Sequence, residues 1–327
     1  MSYVDYGRHF TLPVPMHQCG TVCADGVELM GLATDTMISG DPPLSILYVP
    51  GQFDNAYQQR RSHSLVIAAS DAGIACLLTN NRGQDYFGYQ RRYPDTSDYD
   101  HYEWDLLGST FERVVEAGYD LAAWLSFVDH VAPGSRVVLV GHSHGAVKIA
   151  NCLIAPGETI RADQLAGVVL LSPSDDIGAQ RADLGDRYQE ARDWASVRIE
   201  AGKEQELMPT WAHSVPISAG TYFEAYGPES PLRTFAFHEP SDSALTSPDA
   251  VWSQPTLVVF GSEDIATGEV SSHDAVGLLT RWFANVNPLD SLIVDGADHE
   301  YRGHEDSLAR SVVEWIEDSA RERKREA

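Results

Sequence analysis

The sequence predicts an α/β protein: a mostly parallel sheet covered by helices on both faces. Three observations carry this. Short apolar runs at 46–49, 74–79, 137–140, 167–171, 256–260 and 291–294 alternate with segments of helical period, the pattern of buried parallel strands joined by crossover helices. One run leads into Gly141-His142-Ser143-His144-Gly145 and then a helix-forming segment, the sequence of a strand, a sharp turn and a helix. The alternation stops after residue 176 and resumes at 256.

Taken in order, residues 1–18 hold Pro13 and Pro15 without a period and predict an irregular arm. Residues 19–24 and 27–32, joined at Asp25-Gly26, predict a hairpin with a tight turn. Asp41-Pro42-Pro43 is a break, and 46–49 is a strand ending at Pro50-Gly51-Gln52. Residues 56–71 predict a helix with Leu65, Val66 and Ala69 inward, closed by Gly73. Strand 74–79 follows, then a polar, tyrosine-rich stretch over 80–104 that predicts a long loop. A long helix is expected over 106–130, the strand 137–140 after Pro133-Gly134, and a helix over 146–155.

Strand 167–171 ends in Ser172-Pro173-Ser174-Asp175-Asp176. Residues 177–250 then mix helical pieces, charges, prolines and aromatics, among them Trp194, Trp211, Tyr222, Phe223, Tyr226, Phe235 and Phe237. This predicts a cap or lid over the C-terminal edge of the strands, where ligands of such sheets bind. The core is then 1–176 with 251–327. Strand 256–260 ends in Gly261-Ser262-Glu263-Asp264, a helix is expected over 273–283, and strand 291–294 ends in Asp295-Gly296-Ala297-Asp298-His299. An amphipathic helix over 307–319 and a frayed charged tail over 321–327 complete the chain.

At 327 residues, 43 % hydrophobic and 22 % charged, the chain has the balance of a globular protein with a sizeable core. A formal net charge of −25 argues against nucleic acid or an anionic membrane as partner. No apolar run approaches membrane-spanning length, and the N-terminus lacks the basic and apolar segments of an export signal. A reduced, cytoplasmic setting is the expectation. Cys76 and Cys152 read as small core residues, and Cys19 and Cys23 have no partner pair at zinc spacing. Neither a metal nor a cofactor is expected.

A residue held at the tip of a strand–helix turn is strained, and its neighbours must be small because their backbones nearly touch. Ser143 between Gly141 and Gly145 fits this, with the amide of His144 free at the helix start. A serine hydroxyl needs a base, and the base needs a group that fixes its tautomer. His299 follows the last strand and is the candidate base, with His304 as substitute. Asp264 follows the preceding strand and is the candidate acid; Asp175 and Asp176 are its rivals, and Glu263 is read as facing solvent. An oxyanion hole needs two amides. His144 supplies one, and Gln52 is the choice for the second, with Phe53 next. His142 and His144 read as elbow or pocket residues rather than as the base or a metal pair. Arg60, Arg61, Arg91 and Arg92 read as solvated charges, with contact to an anionic substrate as the rarer alternative.

With these residues in hand, the chain resembles the α/β-hydrolase superfamily over about residues 20–320. Gly-His-Ser-His-Gly resembles its nucleophile elbow, Asn81-Arg82-Gly83 the turn after its fourth strand, and the loops ending in Asp264 and His299 its acid and histidine loops. The resemblance implies an eight-stranded sheet, a cap after strand six and Ser-His-Asp chemistry without cofactor. Short strings such as Leu171-Ser172-Pro173-Ser174-Asp175-Asp176 are similar to a branch that includes fungal siderophore esterases. The chain departs from the superfamily where Pro50-Gly51 stands in place of His-Gly before the oxyanion residue.

The expected function is hydrolysis of a small-molecule carboxylic ester or lactone, bulky and partly apolar or aromatic, through an acyl-enzyme on Ser143. Amide hydrolysis, C–C bond hydrolysis or acyl transfer on the same residues is the alternative, and a receptor-like binding protein a third. Oligomeric state is not legible in the sequence.

Overall fold

A computed structural model of the chain describes residues 14–154, 160–246, 253–283 and 289–326. Most of the predicted arm, the end of the predicted 146–155 helix and residues 247–250 lie outside these.

β1 (Met16–Val22) and β2 (Glu28–Thr34) form the antiparallel hairpin expected around Asp25-Gly26, and a short helix α1 (Asp35–Ser39) follows. β3 (Leu44–Val49), α2 (Arg60–Asp71) and β4 (Ala75–Thr79) make the first crossover. β5 (Gly88–Arg92) and β6 (Glu103–Leu107) pair with each other in a separate two-stranded ribbon. After α3 (Ala117–Val131) come β7 (Arg136–His142), α4 (His144–Ile154) and β8 (Leu165–Leu171). The helices α5 (Asp176–Leu184), α6 (Tyr188–Glu200) and α7 (Ala219–Tyr226) separate β8 from β9 (Thr256–Gly261). The chain closes through α8 (Ser272–Trp282), β10 (Leu289–Val294) and α9 (Glu305–Glu326).

The main sheet has eight strands in the order β1-β2-β4-β3-β7-β8-β9-β10. β2 alone is reversed, antiparallel to β1 on one side and β4 on the other, and β4, β3, β7, β8, β9 and β10 pair in parallel. Alternate residues of the central strands point to opposite faces, which divides the core in two. Leu47, Leu77, Leu139, Val168 and Val258 pack against α3 and α4, continuous with the helices after β8. Ile46, Leu78, Val140, Val169 and Val259 pack under α2 and α9. Among the described residues no helix is long and apolar enough to cross a membrane.

Three expectations need correction. The stretch 80–104 is not all loop, since β5 and the start of β6 lie in it. Their strands lack apolar alternation because cross-strand polar contacts hold them: Arg92 Nε to Asp105 Oδ2 at 2.7 Å, and Arg91 over the rings of Tyr102 and Trp104. The helix expected over 106–130 begins only at Ala117. β6 runs into Gly108, whose φ of 114° turns the chain and whose missing Cβ leaves room for Phe87 Cα, 2.5 Å from where one would stand. The backbone of the expected frayed tail continues α9 to Glu326.

The four cysteines are free thiols. Burial pushes Cys19 up to about 11 and Cys76 and Cys152 up to about 12, so they are poor nucleophiles at neutral pH.

Candidate active site

β7 ends at His142 and α4 begins at His144, so Ser143 alone makes the turn, with a left-handed φ of 53°. A β-carbon residue pays for that conformation in strain. Its amide donates to Leu171 O at 2.8 Å and its carbonyl accepts from Ala146 N at 2.9 Å, which holds it there. A Cβ on Gly145 would stand 2.3 Å from Val49 O, and one on Gly141 would stand 2.7 Å from the carbonyl carbon of Gly145. Both positions therefore require glycine, and the loop after β3 lies directly against the start of α4.

That loop carries the predicted oxyanion residue. A Cβ on Gly51 would be 3.3 Å from Ser143 Cβ, so the backbone just before Gln52 touches the serine side chain. Phe53, the second choice, has its amide taken by Ser109 Oγ at 2.8 Å. Its φ of 60° is strained, and its ring stacks on Tyr86 at 4.9 Å between centroids. This commitment of Phe53 N–H removes it as an oxyanion donor. His144 opens α4 as expected, with its amide in the first turn.

Asp264 and His299 meet across the ends of β9 and β10: His299 Nδ1 lies 2.9 Å from Asp264 Oδ1. With Asp264 ionised, Nδ1 carries the proton and Nε2 keeps its lone pair. Burial alone raises the Asp264 carboxyl, but the hydrogen bond and charge of His299 and the amide of Ala266 outweigh it and hold the carboxyl below the usual range. For His299 burial opposes protonation, yet the hydrogen bond and charge of Asp264, aided by Glu300, raise its pKa.

The rival acids are engaged elsewhere. Asp175 caps α5 through Gly178 N and accepts His238 Nδ1 at 2.8 Å. Asp176 Oδ2 lies 3.2 Å from His144 Nδ1. Glu263 is exposed. The substitute base His304 hydrogen-bonds through its backbone to Tyr301 O and Leu308 N.

Sequence reasoning missed the parts that join these loops. His142 is 1 % exposed, and its Nε2 lies 2.9 Å from His299 O. Arg61, read as a solvated charge, is 4 % exposed; its guanidinium binds Asp54 in the loop after β3 and Glu300 beside His299, and Nε donates to Tyr48 OH at 3.0 Å. The other three arginines are also paired: Arg60 with Glu305, Arg91 with Glu28, and Arg92 with Asp105 and Asp25. The sequence signal for Arg61 was its place at the start of the helix that follows the loop after β3. Nothing in one sequence named Asp54 and Glu300 as its partners.

His142, His299 and Glu300 bring possible metal-ligating atoms within 4.8 Å of one another. The donor set does not fit a cation, because Glu300 already holds Arg61 and His299 already holds Asp264.

The chain belongs to the alpha/beta hydrolase family, whose model matches residues 46–314. No curated protein matches the sequence. Among solved structures, the siderophore hydrolase EstB from Aspergillus fumigatus is similar at TM-score 0.63 and 16 % identity, over 95 % of this chain and 98 % of that one. Est1E from Butyrivibrio proteoclasticus with bound ferulic acid is similar at TM-score 0.59 and 13 % identity, over 92 % and 98 %. The esterase Pf2001 from Pyrococcus furiosus is similar at TM-score 0.55 and 13 % identity, over 94 % and 93 %. At these identities the likeness is one of fold.

Proposed function

We propose that the protein is a serine hydrolase of carboxylic esters or lactones, with Ser143 as nucleophile, His299 as base and Asp264 as its orienting acid. The observation that carries the proposal is the 2.9 Å contact of His299 Nδ1 with Asp264 Oδ1, in a loop tied by His142 to the left-handed Ser143. Ser143 Oγ attacks the acyl carbon and gives its proton to His299 Nε2. The amides of His144 and Gln52 receive the oxyanion; loss of one such donor costs about 10²–10³ in rate. The bond from the acyl carbon to the leaving oxygen breaks, and that oxygen takes the proton from His299. Water then gives a proton to His299 as its oxygen attacks the acyl carbon; the bond to Ser143 Oγ breaks, His299 returns the proton to Oγ, and the acid is freed. In a lactone the alcohol stays tethered and the product is a hydroxy acid. No step calls for a metal or cofactor.

The insertion over 177–250 is read as a cap on the small-molecule site. A bulky, partly apolar or aromatic substrate is proposed from the aromatic content of this insertion, whose Tyr222, Tyr226, Phe235 and Phe237 are themselves packed into the core.

The test is hydrolysis of a panel of p-nitrophenyl esters, aromatic esters and lactones by wild type and Ser143→Ala, with intact mass measured after a fluorophosphonate probe. Labelling and turnover that vanish in the variant are the expected result. Folded wild type that neither labels nor turns over any of the panel overturns the proposal.

A further inference from the structure

The ribbon of β5 and β6 is inverted: its apolar face points out. In an antiparallel pair, residues directly opposite each other share a face, and so do residues two apart on one strand. Arg91 stands opposite Trp104 and Tyr89 opposite Leu106, so these four share one face. Phe87 and Tyr102, one position before each strand, continue the alternation. The Tyr102 and Trp104 rings meet at 5.5 Å between centroids, with the Arg91 guanidinium over both. Gln90 and Asp105 lie opposite each other on the second face. That face turns inward at Gln90, which is buried and donates to Arg82 O at 3.2 Å.

Of the thirteen large apolar side chains exposed among the described residues, nine fall between 86 and 119. The outward face is the centre of this concentration. Tyr99 joins it through Tyr93, whose ring lies 5.4 Å from that of Tyr99 and 6.0 Å from that of Tyr102. Phe87, Tyr89, Tyr99, Tyr102 and Trp104 are 41–70 % exposed. At about 200 Å² for a whole aromatic side chain, these five present roughly 600 Å² to solvent, the top of the range for one patch on a monomer.

A recess opens beside the projecting rings. Its volume is about 300 Å³, and it runs from Leu29 and Met30 of β2 past Asn81 and Gln84 to Tyr89 and Trp104. That volume accommodates an aromatic side chain. A foreign partner needs only one half of such a fit. A twofold contact needs both halves on the same patch, because each copy supplies the ring and the recess in turn. The acids of the ribbon do not oppose this: Glu103 and Asp105 lie on the other face, and Asp95, Asp98 and Asp100 lie in the loop that joins the strands.

We propose that the outward face of the β5–β6 ribbon is the contact between two copies of this chain in a twofold dimer. Two faces of this size bury about 1,200 Å² together, the lower end of the range for stable specific interfaces. A ring of each copy enters the recess of the other, as the buried aromatic anchor of the contact. Each copy carries a net charge of −25, so the dimer tightens as salt screens their repulsion. This assembly goes beyond the hydrolase reading and does not rest on it.

The test is the mass of the full chain in solution, by sedimentation velocity over a concentration series, with hydrogen exchange followed in parallel. Wild type is expected to reach twice the 35.9 kDa of one chain, and exchange over residues 87–106 to slow as the dimer fills. Tyr89→Asp and Trp104→Asp are each expected to weaken association at least about 30-fold, the effect of losing a hot-spot aromatic. Trp104→Phe keeps an apolar ring and retains the dimer. Val197→Asp, at an exposed apolar position of α6, leaves association unchanged. Melting curves establish that the variants are folded. Wild type that keeps the mass of one chain at every concentration overturns the proposal, as does a dimer that survives in folded Tyr89→Asp and Trp104→Asp. Monomeric wild type whose tryptophan fluorescence shifts on phosphatidylcholine vesicles, with the shift lost in Trp104→Phe, assigns the face to a lipid surface and overturns the second copy as its occupant. Every measurement is made without substrate. Failure of the dimer therefore leaves the chemistry of Ser143 untouched, and absence of ester turnover leaves the dimer untouched.

Discussion

His142 Nε2 lies 2.9 Å from the backbone carbonyl of His299, so the residue before Ser143 holds the loop of His299. Burial, with the charges of Arg61 and His299, keeps the His142 pKa well below the ordinary histidine value. It therefore stays a neutral donor across the working pH range. In His142→Phe the His299 carbonyl loses its partner at a cost of about 1–3 kcal/mol, and kcat is expected to fall about tenfold or more with little change in KM. Steady-state kinetics beside a melting curve checks this. An unchanged kcat in a folded variant removes His142 as a positioning residue.

Asp264→Asn keeps the shape of the acid but favours the wrong tautomer of His299. The expected loss in kcat is about 10⁴-fold. Asp175→Asn breaks a different pair, with His238, and is expected to act on stability. Equal losses of kcat in the two variants would mean that the acid is misassigned.

His299 must be neutral to accept the serine proton, and its pKa is raised above 6.5. The acid limb of kcat/KM is therefore expected to have its midpoint above pH 6.5. Glu300 helps to raise this pKa, so Glu300→Gln moves the limb to lower pH. The same shift means that protonated His299 favours the folded state. That contribution is complete below about 6.5 and is lost as pH rises through the raised value. A pH profile of kcat/KM for both proteins, paired with melting temperature against pH, reads both effects.

Arg61 joins the loop after β3 to the loop of the base through Asp54 and Glu300. Its side chain is 2 % exposed, while Asp54 and Glu300 are 15 % and 31 % exposed. Arg61→Met strands two partly covered carboxylates and is expected to cost about 3 kcal/mol, the low end of the range for broken buried pairs. Arg61→Lys keeps the charge but not the fork geometry, and should recover part of the stability and less of kcat. Urea unfolding midpoints and kcat distinguish these; a neutral effect of Arg61→Met on both would refute the linking role.

Ser109 Oγ accepts from Phe53 N and donates to Gly83 O. This short relay holds Phe53 in its left-handed conformation, one residue beyond Gln52. Ser109→Ala leaves the Phe53 amide without its acceptor and is expected to lower kcat about tenfold, with a smaller effect on KM. A larger change in KM than in kcat would argue that the relay shapes substrate binding instead.

The sequence alone determined the alternation of apolar runs and helical segments, and with it the parallel sheet. It also determined the elbow, because Gly141 and Gly145 are required by backbone contacts that any strand–Ser–helix turn imposes. The loops holding Asp264 and His299 were legible for a related reason: each follows an apolar strand and so must end at the same edge of the sheet. The ribbon of β5 and β6 was not legible, since its strands are held by Arg92–Asp105 and by Arg91 over Trp104 rather than by apolar alternation. Only tertiary structure shows which histidine each aspartate faces, because Asp175, Asp176 and Asp264 all follow strands; they meet His238, His144 and His299. It also decided that Arg61 is a buried link between Asp54 and Glu300, residues 7 and 239 positions away in the chain. A periodic pattern is a property of neighbours in sequence; a charge pair between distant loops exists only once the sheet has set their ends side by side.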